Sequence, residues 1–340
     1  MTRPAWLALT AGVALFAALL LWHGIGDIAA TVAMAGWGIV LVSAFHLLPL
    51  LLDGAAIEVL FPRAWPAPAP RRRALRASLL ARWAGESVNS LMPAGQLGGP
   101  VLMVRHLSQR GLRTADAAAV ITVSTTMQTF AQIVFALLGI AVFVACRAGE
   151  AAGAGWAALR MPLALMLAVC AALLYGFYAA QRRGLFGRLT RLAGRLSKGP
   201  RWSAWLDRAD AVDAAVHALY GQRRKVGRSF ALSLAGWIVG VGEVWLALQS
   251  IGHPVGWAEA LLLESLGQAI RGAAFAIPGS LGVQEGGYLL LAPLAGLPPD
   301  AALALSLIKR ARELALGLPG LAYLHASERG WQRRRMAAAE

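Results

Sequence analysis

Long apolar stretches separated by short polar ones run along most of the chain. A helix crosses a bilayer with about 20 apolar residues. We predict six full spans, over residues 5–22, 33–60, 117–144, 161–180, 229–250 and 301–325. Two further segments, 79–104 and 258–296, have glycines and prolines at their centres, and these residues stop a regular helix. Each segment is predicted to form a re-entrant or broken-helix hairpin.

The two interrupted segments share one pattern. Pro93 opens the break in the first and Pro278 opens it in the second, and a Gly-Leu pair follows each proline after 18 residues. Arginines, including Arg82, flank the first segment, whereas 253–254 and 297–299 beside the second contain neither Lys nor Arg. We therefore predict that the segments enter from opposite sides, as in the inverted repeats of secondary transporters. Chance similarity between Gly- and Ala-rich sequences is the alternative.

Composition and charge agree with a membrane protein. Hydrophobic residues make up 58% of the 340 residues and charged ones 14%. The predicted fold class is an all-α polytopic membrane protein with no soluble domain of ordinary size. The net charge of +15 would favour nucleic acid in a soluble protein, but Lys and Arg concentrate in 1–4, 61–116, 181–228 and 326–340. The positive-inside rule then places both termini in the cytoplasm, and no nucleic acid partner is expected.

The segments divide the chain into two halves. Residues 1–145 form the first predicted repeat and 146–325 the second, and 326–340 form a cytoplasmic tail. The basic linker 181–228 carries leucines on one helical face of 185–196, with arginines beside them. That arrangement is typical of a helix that lies in the inner headgroup layer and binds anionic lipid. A plain topology signal is the alternative.

Polar side chains within the apolar segments are the candidate functional residues, because an ionisable group in the bilayer core costs roughly 3 kcal/mol or more. We assign to a lipid head-group site Glu86, Asn89, Pro93, Gln96, Gln128, Gln132, Glu264, Gln268, Arg271, Pro278, Gln284, Glu285, Lys309, Arg310, Arg312 and Glu313. Glu243, and Asp53 one heptad from His46, are candidates for coupling. Free backbone N–H and C=O groups at the helix breaks would add head-group ligands at membrane depth.

Internal ion pairs are the structural alternative for some of these residues. Arg271 could pair with Glu264 or Glu285. Lys309 is spaced i, i+4 from Glu313, which suits a pair along one helix. A hydrogen bond to a neighbouring helix is the corresponding alternative for the two coupling candidates.

Four stretches carry a resemblance to a known family. They are 86–99 (ESVNSLMPAGQLGG), 263–269 (LESLGQA), 277–287 (IPGSLGVQEGG) and 306–314 (SLIKRAREL). They resemble the transmembrane family of lysylphosphatidylglycerol synthetases and flippases, and within it the hopanoid-biosynthesis-associated membrane proteins. The resemblance implies a bacterial inner-membrane protein of flippase-like fold linked to hopanoid or related lipid handling. The aminoacyl-lipid synthetases of that family end in a large cytoplasmic transferase domain, whereas about 15 residues follow the last predicted span here, so lipid aminoacylation is not expected.

The predicted function is translocation of a membrane lipid, a hopanoid or a phospholipid, through a midplane polar site between the two hairpins. The alternatives are an intramembrane enzyme that modifies a lipid head group and a scaffold for hopanoid-biosynthesis proteins. The sequence has no HExxH, GxSxG, Cys/His metal set or Asp-rich motif, so neither catalysis nor a cofactor or metal is expected. The GxxxG spacing of Gly236 and Gly240 permits close helix packing within one molecule or in an oligomer.

Overall fold

A computed structural model of the chain describes residues 30, 32–62, 65, 71–92, 98–147, 172, 175–188, 190, 202–274 and 277–337. The main helices are α1 (Gly38–Phe45), α2 (Leu47–Glu58), α3 (Arg71–Leu91), α4 (Gly98–Ser108), α5 (Thr114–Arg147), α6 (Trp202–Gly221), α7 (Arg223–Ser250), α8 (Trp257–Ala273), α9 (Val283–Leu291) and α10 (Pro299–Ala337). The predicted span 5–22, most of 161–180, Pro93, Gln96 and 191–196 of the predicted lipid-binding helix lie outside the described residues.

Three helical stretches have the length and apolar composition needed to cross a membrane. They are Gly38–Glu58, Thr114–Phe143 and Arg223–Ser250, and they coincide with the second, third and fifth predicted spans. The sixth predicted span lies inside α10, where 309–313 holds four charged residues. The number of six spans and their orientation in the membrane therefore stay predictions.

The first interrupted segment consists of α3 and α4 packed side by side. A Cβ atom built on Gly99 would lie 2.5 Å from the carbonyl oxygen of Gly85, so glycine is needed where the helices approach. The Asn89 Oδ1 atom accepts a hydrogen bond from the Gly99 N–H at 2.8 Å and so caps the start of α4. The helices extend beyond the predicted hairpin at both ends, since α3 begins at Arg71 and α4 ends at Ser108.

The second interrupted segment consists of α8, a short 3₁₀ turn at Pro278–Ser280, and α9. Gly279 and Gly282 have φ values of 61° and 76°, which an L side chain rarely adopts. The Gly279 backbone lies against the end of α3, because a Cβ built there would be 3.2 Å from the Ser90 carbonyl oxygen. The second break therefore meets α3 just before the first break. The opposite membrane orientation of the two segments stays a prediction.

The remaining helices enclose this contact. α7 packs against α2, α5 and α8, and α10 packs against α3 and α9. Buried apolar side chains such as Val244, Leu263 and Ile308 fill the space between helices. On α1 and α2, by contrast, Leu41 is 54% exposed and Leu51 is 48% exposed. Lipid tails are as apolar as leucine, so an apolar exterior around a polar interior suits a membrane protein.

Candidate functional site

A polar cavity of about 230 Å³ lies where α3 meets the second break. Asn89 and Ser90 from the end of α3, together with Gly279 and Ser280 from the break, form part of its wall. His46, Ile277 and residues of α2, α4, α5, α7, α8 and α10 also line it. Its charged and amide-bearing lining comprises His46, Asp53, Arg82, Glu86, Asn89, Gln128, Gln132, Glu243, Glu264, Gln268, Arg271 and Arg312.

Most of the residues selected from the sequence are brought together here. Every member of that lining except His46 and Arg82 was assigned from the sequence to the head-group site or to coupling. Other selected residues lie behind the cavity wall, namely Gln284, Glu285, Lys309, Arg310 and Glu313. Pro278 begins the 3₁₀ turn of the second break. The selected residues thus separate into a layer that lines the cavity and a layer that supports it.

Buried and partly buried charges form a continuous row of contacts across the helices. Arg82 Nη2 lies 2.7 Å from Asp53 Oδ2 and 3.7 Å from Glu86 Oε2. Glu86 Oε1 lies 2.8 Å from His46 Nε2, and His46 Nδ1 lies 2.6 Å from Glu243 Oε1. These contacts join α2, α3 and α7.

The row continues into α10 and α9. Arg312 Nη1 lies 2.7 Å from Glu243 Oε2, and Arg312 Nη2 lies 3.6 Å from Glu313 Oε1. Glu313 Oε2 is 3.0 Å from Arg310 Nη1, and Arg310 Nε is 3.1 Å from Glu285 Oε1. The row therefore runs from the first half of the chain into the second interrupted segment.

The ion pairs differ from those considered as the structural alternative. Lys309 binds Glu264 on α8 and not Glu313, while Arg271 binds Glu313 and neither Glu264 nor Glu285. The pairs differ because successive residues of an α-helix are rotated by about 100°, so α10 presents its charges to several neighbours. We call the row, Arg271 and the Lys309–Glu264 pair together the buried ion-pair network.

The sequence did not assign His46 or Arg82 to the site. Arg82 was expected at the cytoplasmic flank of the first hairpin, yet its side chain is 17% exposed and donates to Asp53 from both Nε and Nη2. Because α3 begins at Arg71, Arg82 lies about three turns inside the helix. His46 could have been found from its seven-residue spacing to Asp53, which puts both on one helical face.

Side-chain amides orient the carboxylates that line the cavity. Gln128 Nε2 donates to Asp53 Oδ2 at 2.9 Å, and Gln268 Nε2 donates to Glu264 Oε1 at 2.8 Å. Gln132 Nε2 donates to the Gln268 carbonyl oxygen at 2.7 Å. Gln128 and Gln132, both assigned to the head-group site from the sequence, therefore connect α5 to α2 and to α8.

The supporting layer satisfies backbone groups of the second break. Arg310 donates from Nη1 to the Gly279 carbonyl at 2.5 Å and from Nη2 to the Ser280 carbonyl at 3.3 Å. The Glu285 carboxylate accepts from the Gly282 N–H at 2.7 Å. These backbone groups were expected to be open to a head group, but they are already bonded because a broken helix leaves polar groups that a buried site must satisfy.

The charges of the network are paired with one another. Among the residues that the structure describes, no group of three His, Cys, Asp or Glu side chains is arranged to hold a metal ion. The cavity therefore offers hydrogen-bond donors and acceptors, held in place by ion pairs, to a polar group that enters it.

A comparison with protein families agrees with this architecture. The family described as the lysylphosphatidylglycerol synthase TM region matches residues 9–320. The chain belongs to this family. Comparison with curated proteins and with solved structures gave no match. The matched range contains every residue that lines the cavity, so the site is part of the lysylphosphatidylglycerol synthase transmembrane region. The protein is thus a membrane protein with a lipid-related function.

Proposed function

We propose that the protein translocates a membrane lipid, with the lipid head group passing through the polar cavity while the apolar tail stays in the bilayer. The observation that carries the proposal is the cavity itself, because interrupted helices at the binding site are a feature of secondary transporters. At about 230 Å³ it is smaller than the pockets of 300–1,000 Å³ that hold drug-sized ligands. That size suits a head group and not a whole lipid.

The ion-pair network supports the same role. Isolated charges at membrane depth are costly, whereas paired charges give a polar surface at lower cost. Gln128, Gln132 and Gln268 extend this surface with amide groups. A head group can exchange hydrogen bonds with water for hydrogen bonds with this lining. We propose binding and transport, without chemical modification of the lipid and without a cofactor.

The finer assignments rest on the sequence. We propose a hopanoid or a related amphiphilic lipid, phospholipids included, as the cargo and the bacterial inner membrane as the location, since these follow from the family resemblance. Binding of anionic lipid by 185–196 is part of the same proposal. The inverted-repeat plan with both termini in the cytoplasm would let two arrangements of the helices expose the cavity to opposite leaflets.

Filling the cavity is expected to stop translocation. Gly240 lines the cavity, and a Cβ built there meets only Glu264 Oε1, at 3.9 Å. A Cβ atom is therefore accommodated without a clash, and the larger side chain of Gly240→Leu would occupy cavity volume. In proteoliposomes that contain fluorescent phosphatidylglycerol, we expect its rate of translocation, measured by dithionite quenching, to fall to that of protein-free liposomes.

Gly227→Leu is the matched control for this experiment. Gly227 lies on the same helix, α7, is exposed, and has nothing within 4 Å of a built Cβ. We expect Gly227→Leu to translocate lipid at the wild-type rate. A folded Gly240→Leu protein that also matches the wild type would contradict the proposed route.

A further inference from the structure

His46 connects two parts of the ion-pair network. It lies between α1, which ends at Phe45, and α2, which begins at Leu47, and its side chain is 12% exposed at the cavity. Nε2 lies 2.8 Å from Glu86 on α3, and Nδ1 lies 2.6 Å from Glu243 on α7. Three helical elements thus meet at one imidazole ring.

Two carboxylates on one imidazole require two N–H groups. A neutral imidazole has one N–H and one lone pair, whereas the imidazolium ion has two N–H groups. Both oxygens of Glu243 already act as acceptors, because Oε1 faces the His46 ring and Oε2 accepts from Arg312 Nη1 at 2.7 Å. A charged ring would therefore donate one hydrogen bond to each carboxylate.

Charge balance favours the charged ring. The carboxylates of the network are Asp53, Glu86, Glu243, Glu264, Glu285 and Glu313, and the fixed cations are Arg82, Arg271, Lys309, Arg310 and Arg312. Six negative charges against five positive ones leave one excess negative charge, which a charged His46 balances. An uncompensated charge at membrane depth costs roughly 3 kcal/mol or more.

Loss of the Nδ1 proton leads to a second defined arrangement. Arg312 Nη1 lies 2.6 Å from His46 Nδ1. While the ring is charged, both of these nitrogens carry hydrogens, so two hydrogen-bond donors face each other. After deprotonation Nδ1 carries a lone pair and accepts from Arg312, and its hydrogen bond to Glu243 is lost. The imidazole therefore has a partner on Nδ1 in both states, on α7 in one and on α10 in the other.

Charged groups face the ring from the helices packed around it. α3 contributes Glu86, with Arg82 behind it, α7 contributes Glu243, α10 contributes Arg312 and α2 contributes Asp53, while α1 has no charged residue. Imidazole is the only side chain among these that ordinarily changes charge between about pH 5 and pH 8. The ring is accordingly the natural carrier of a mobile proton in this network.

We propose that Glu86, His46 and Glu243 form a proton-binding site, and that passage of the lipid head group through the cavity is coupled to the proton held there. Release breaks the Nδ1–H bond, leaves the electron pair on Nδ1 and transfers the proton to water in the cavity, and uptake is the reverse. When the hydrogen-bond partner of Nδ1 changes from Glu243 to Arg312, the contacts of α7 and α10 with the start of α2 change. The coupling rests on the proposed function, whereas the proton site does not.

Nitrogen-15 NMR of histidine-labelled protein in lipid nanodiscs tests the proton site without any transport. Subtracting the spectrum of His46→Gln isolates the signals of His46, and His46→Lys serves the same purpose if the glutamine variant does not fold. We expect two protonated ring nitrogens at acidic pH and the loss of one in a single step as the pH rises. A ring with a single N–H throughout the range from about pH 5 to pH 9 would overturn the proposal.

Proteoliposomes with fluorescent phosphatidylglycerol test the coupling. The transbilayer distribution of the lipid is measured with and without a gradient of one pH unit, and each variant is compared with itself. One proton per lipid would bias the distribution by up to about tenfold. We expect this bias in the wild type and in His325→Gln, a control at an exposed histidine of α10, and its absence in His46→Gln and His46→Lys.

The outcomes separate the coupling from translocation. Wild-type protein that moves lipid with no bias under the gradient would overturn the coupling and leave translocation intact, as would a bias that persists in His46→Lys. Absence of lipid movement under every condition would contradict the proposed function, and the NMR titration would still decide the proton site.

Discussion

Replacing Lys309 with methionine is expected to lower the free energy of unfolding by about 3–5 kcal/mol, the usual effect of removing one partner of a buried ion pair. Lys309 and Glu264 are bonded to each other, and their side chains are 1% and 4% exposed. The Lys309 ammonium also lies 5.9 Å from the centre of the Tyr288 ring. In Lys309→Met the Glu264 carboxylate keeps the hydrogen bond from the Gln268 amide but loses the ammonium that neutralises it, so a buried charge is left without that counter-ion. Denaturant titration in mixed micelles measures the change.

Two further variants make this result specific to the ion pair. Arg329→Met removes a cation from an exposed position of the same helix, where a change within about 0.5 kcal/mol is expected. Lys309→Met/Glu264→Met replaces the whole pair by apolar side chains and is expected to recover most of the loss, because such replacements are often neutral or stabilising. A single Lys309→Met variant as stable as Arg329→Met would show that the pair contributes little.

Replacing Arg310 with methionine is expected to cost a similar amount, about 3–5 kcal/mol, and to loosen the second break. Arg310 Nε lies 3.1 Å from Glu285, and its Nη1 atom lies 3.0 Å from Glu313. The same guanidinium donates hydrogen bonds to the backbone carbonyls of Gly279 and Ser280. The substitution therefore removes the cation beside Glu285, which keeps hydrogen bonds from the Gly282 N–H and the Ser306 hydroxyl. It also removes the Arg310 donors to two backbone oxygens, and each buried unsatisfied group adds a penalty of about 1–3 kcal/mol.

Hydrogen exchange followed by mass spectrometry measures the loosening directly. The peptide 277–287 contains the Ser280 N–H bonded to the Ile277 carbonyl and the Gly282 N–H bonded to Glu285. We expect faster exchange of this peptide in Arg310→Met and wild-type exchange in Arg333→Met, a control at an exposed position of α10. Unchanged exchange in Arg310→Met would mean that the break holds its shape without the guanidinium.

The sequence predicted those parts of the molecule that depend on local pattern. Glycines and prolines clustered at the centre of a segment favour a break in the helix, so both broken segments could be located from Pro93 and Pro278, whereas the single Pro319 lies within α10. Gln128 and Gln132 are four residues apart on one helix, and their shared polar face does contribute to the cavity. Residues near each break were expected to meet, and Asn89 and Gly279 do lie in one wall.

The partners of the buried charges could not be predicted in the same way. Spacing along α10 suggested a pair of Lys309 with Glu313, but the direction in which each side chain finds a counter-charge depends on the positions of α7, α8 and α9. Arg82 was expected at the flank of the first hairpin, because no apolar pattern marks the start of α3 at Arg71. His46 stood alone in an apolar stretch, and its two carboxylate partners come from 40 and 197 residues away in the chain.

Native mass spectrometry of the purified protein, with bound lipid released and identified, tests most directly whether the polar cavity binds a lipid head group. Wild type and Gly227→Leu are expected to retain the same lipid, and Gly240→Leu, in which leucine fills the cavity, is expected to lose it. A wild-type protein with no selectively bound lipid, or a lipid retained equally by Gly240→Leu, would contradict a head-group site in this cavity.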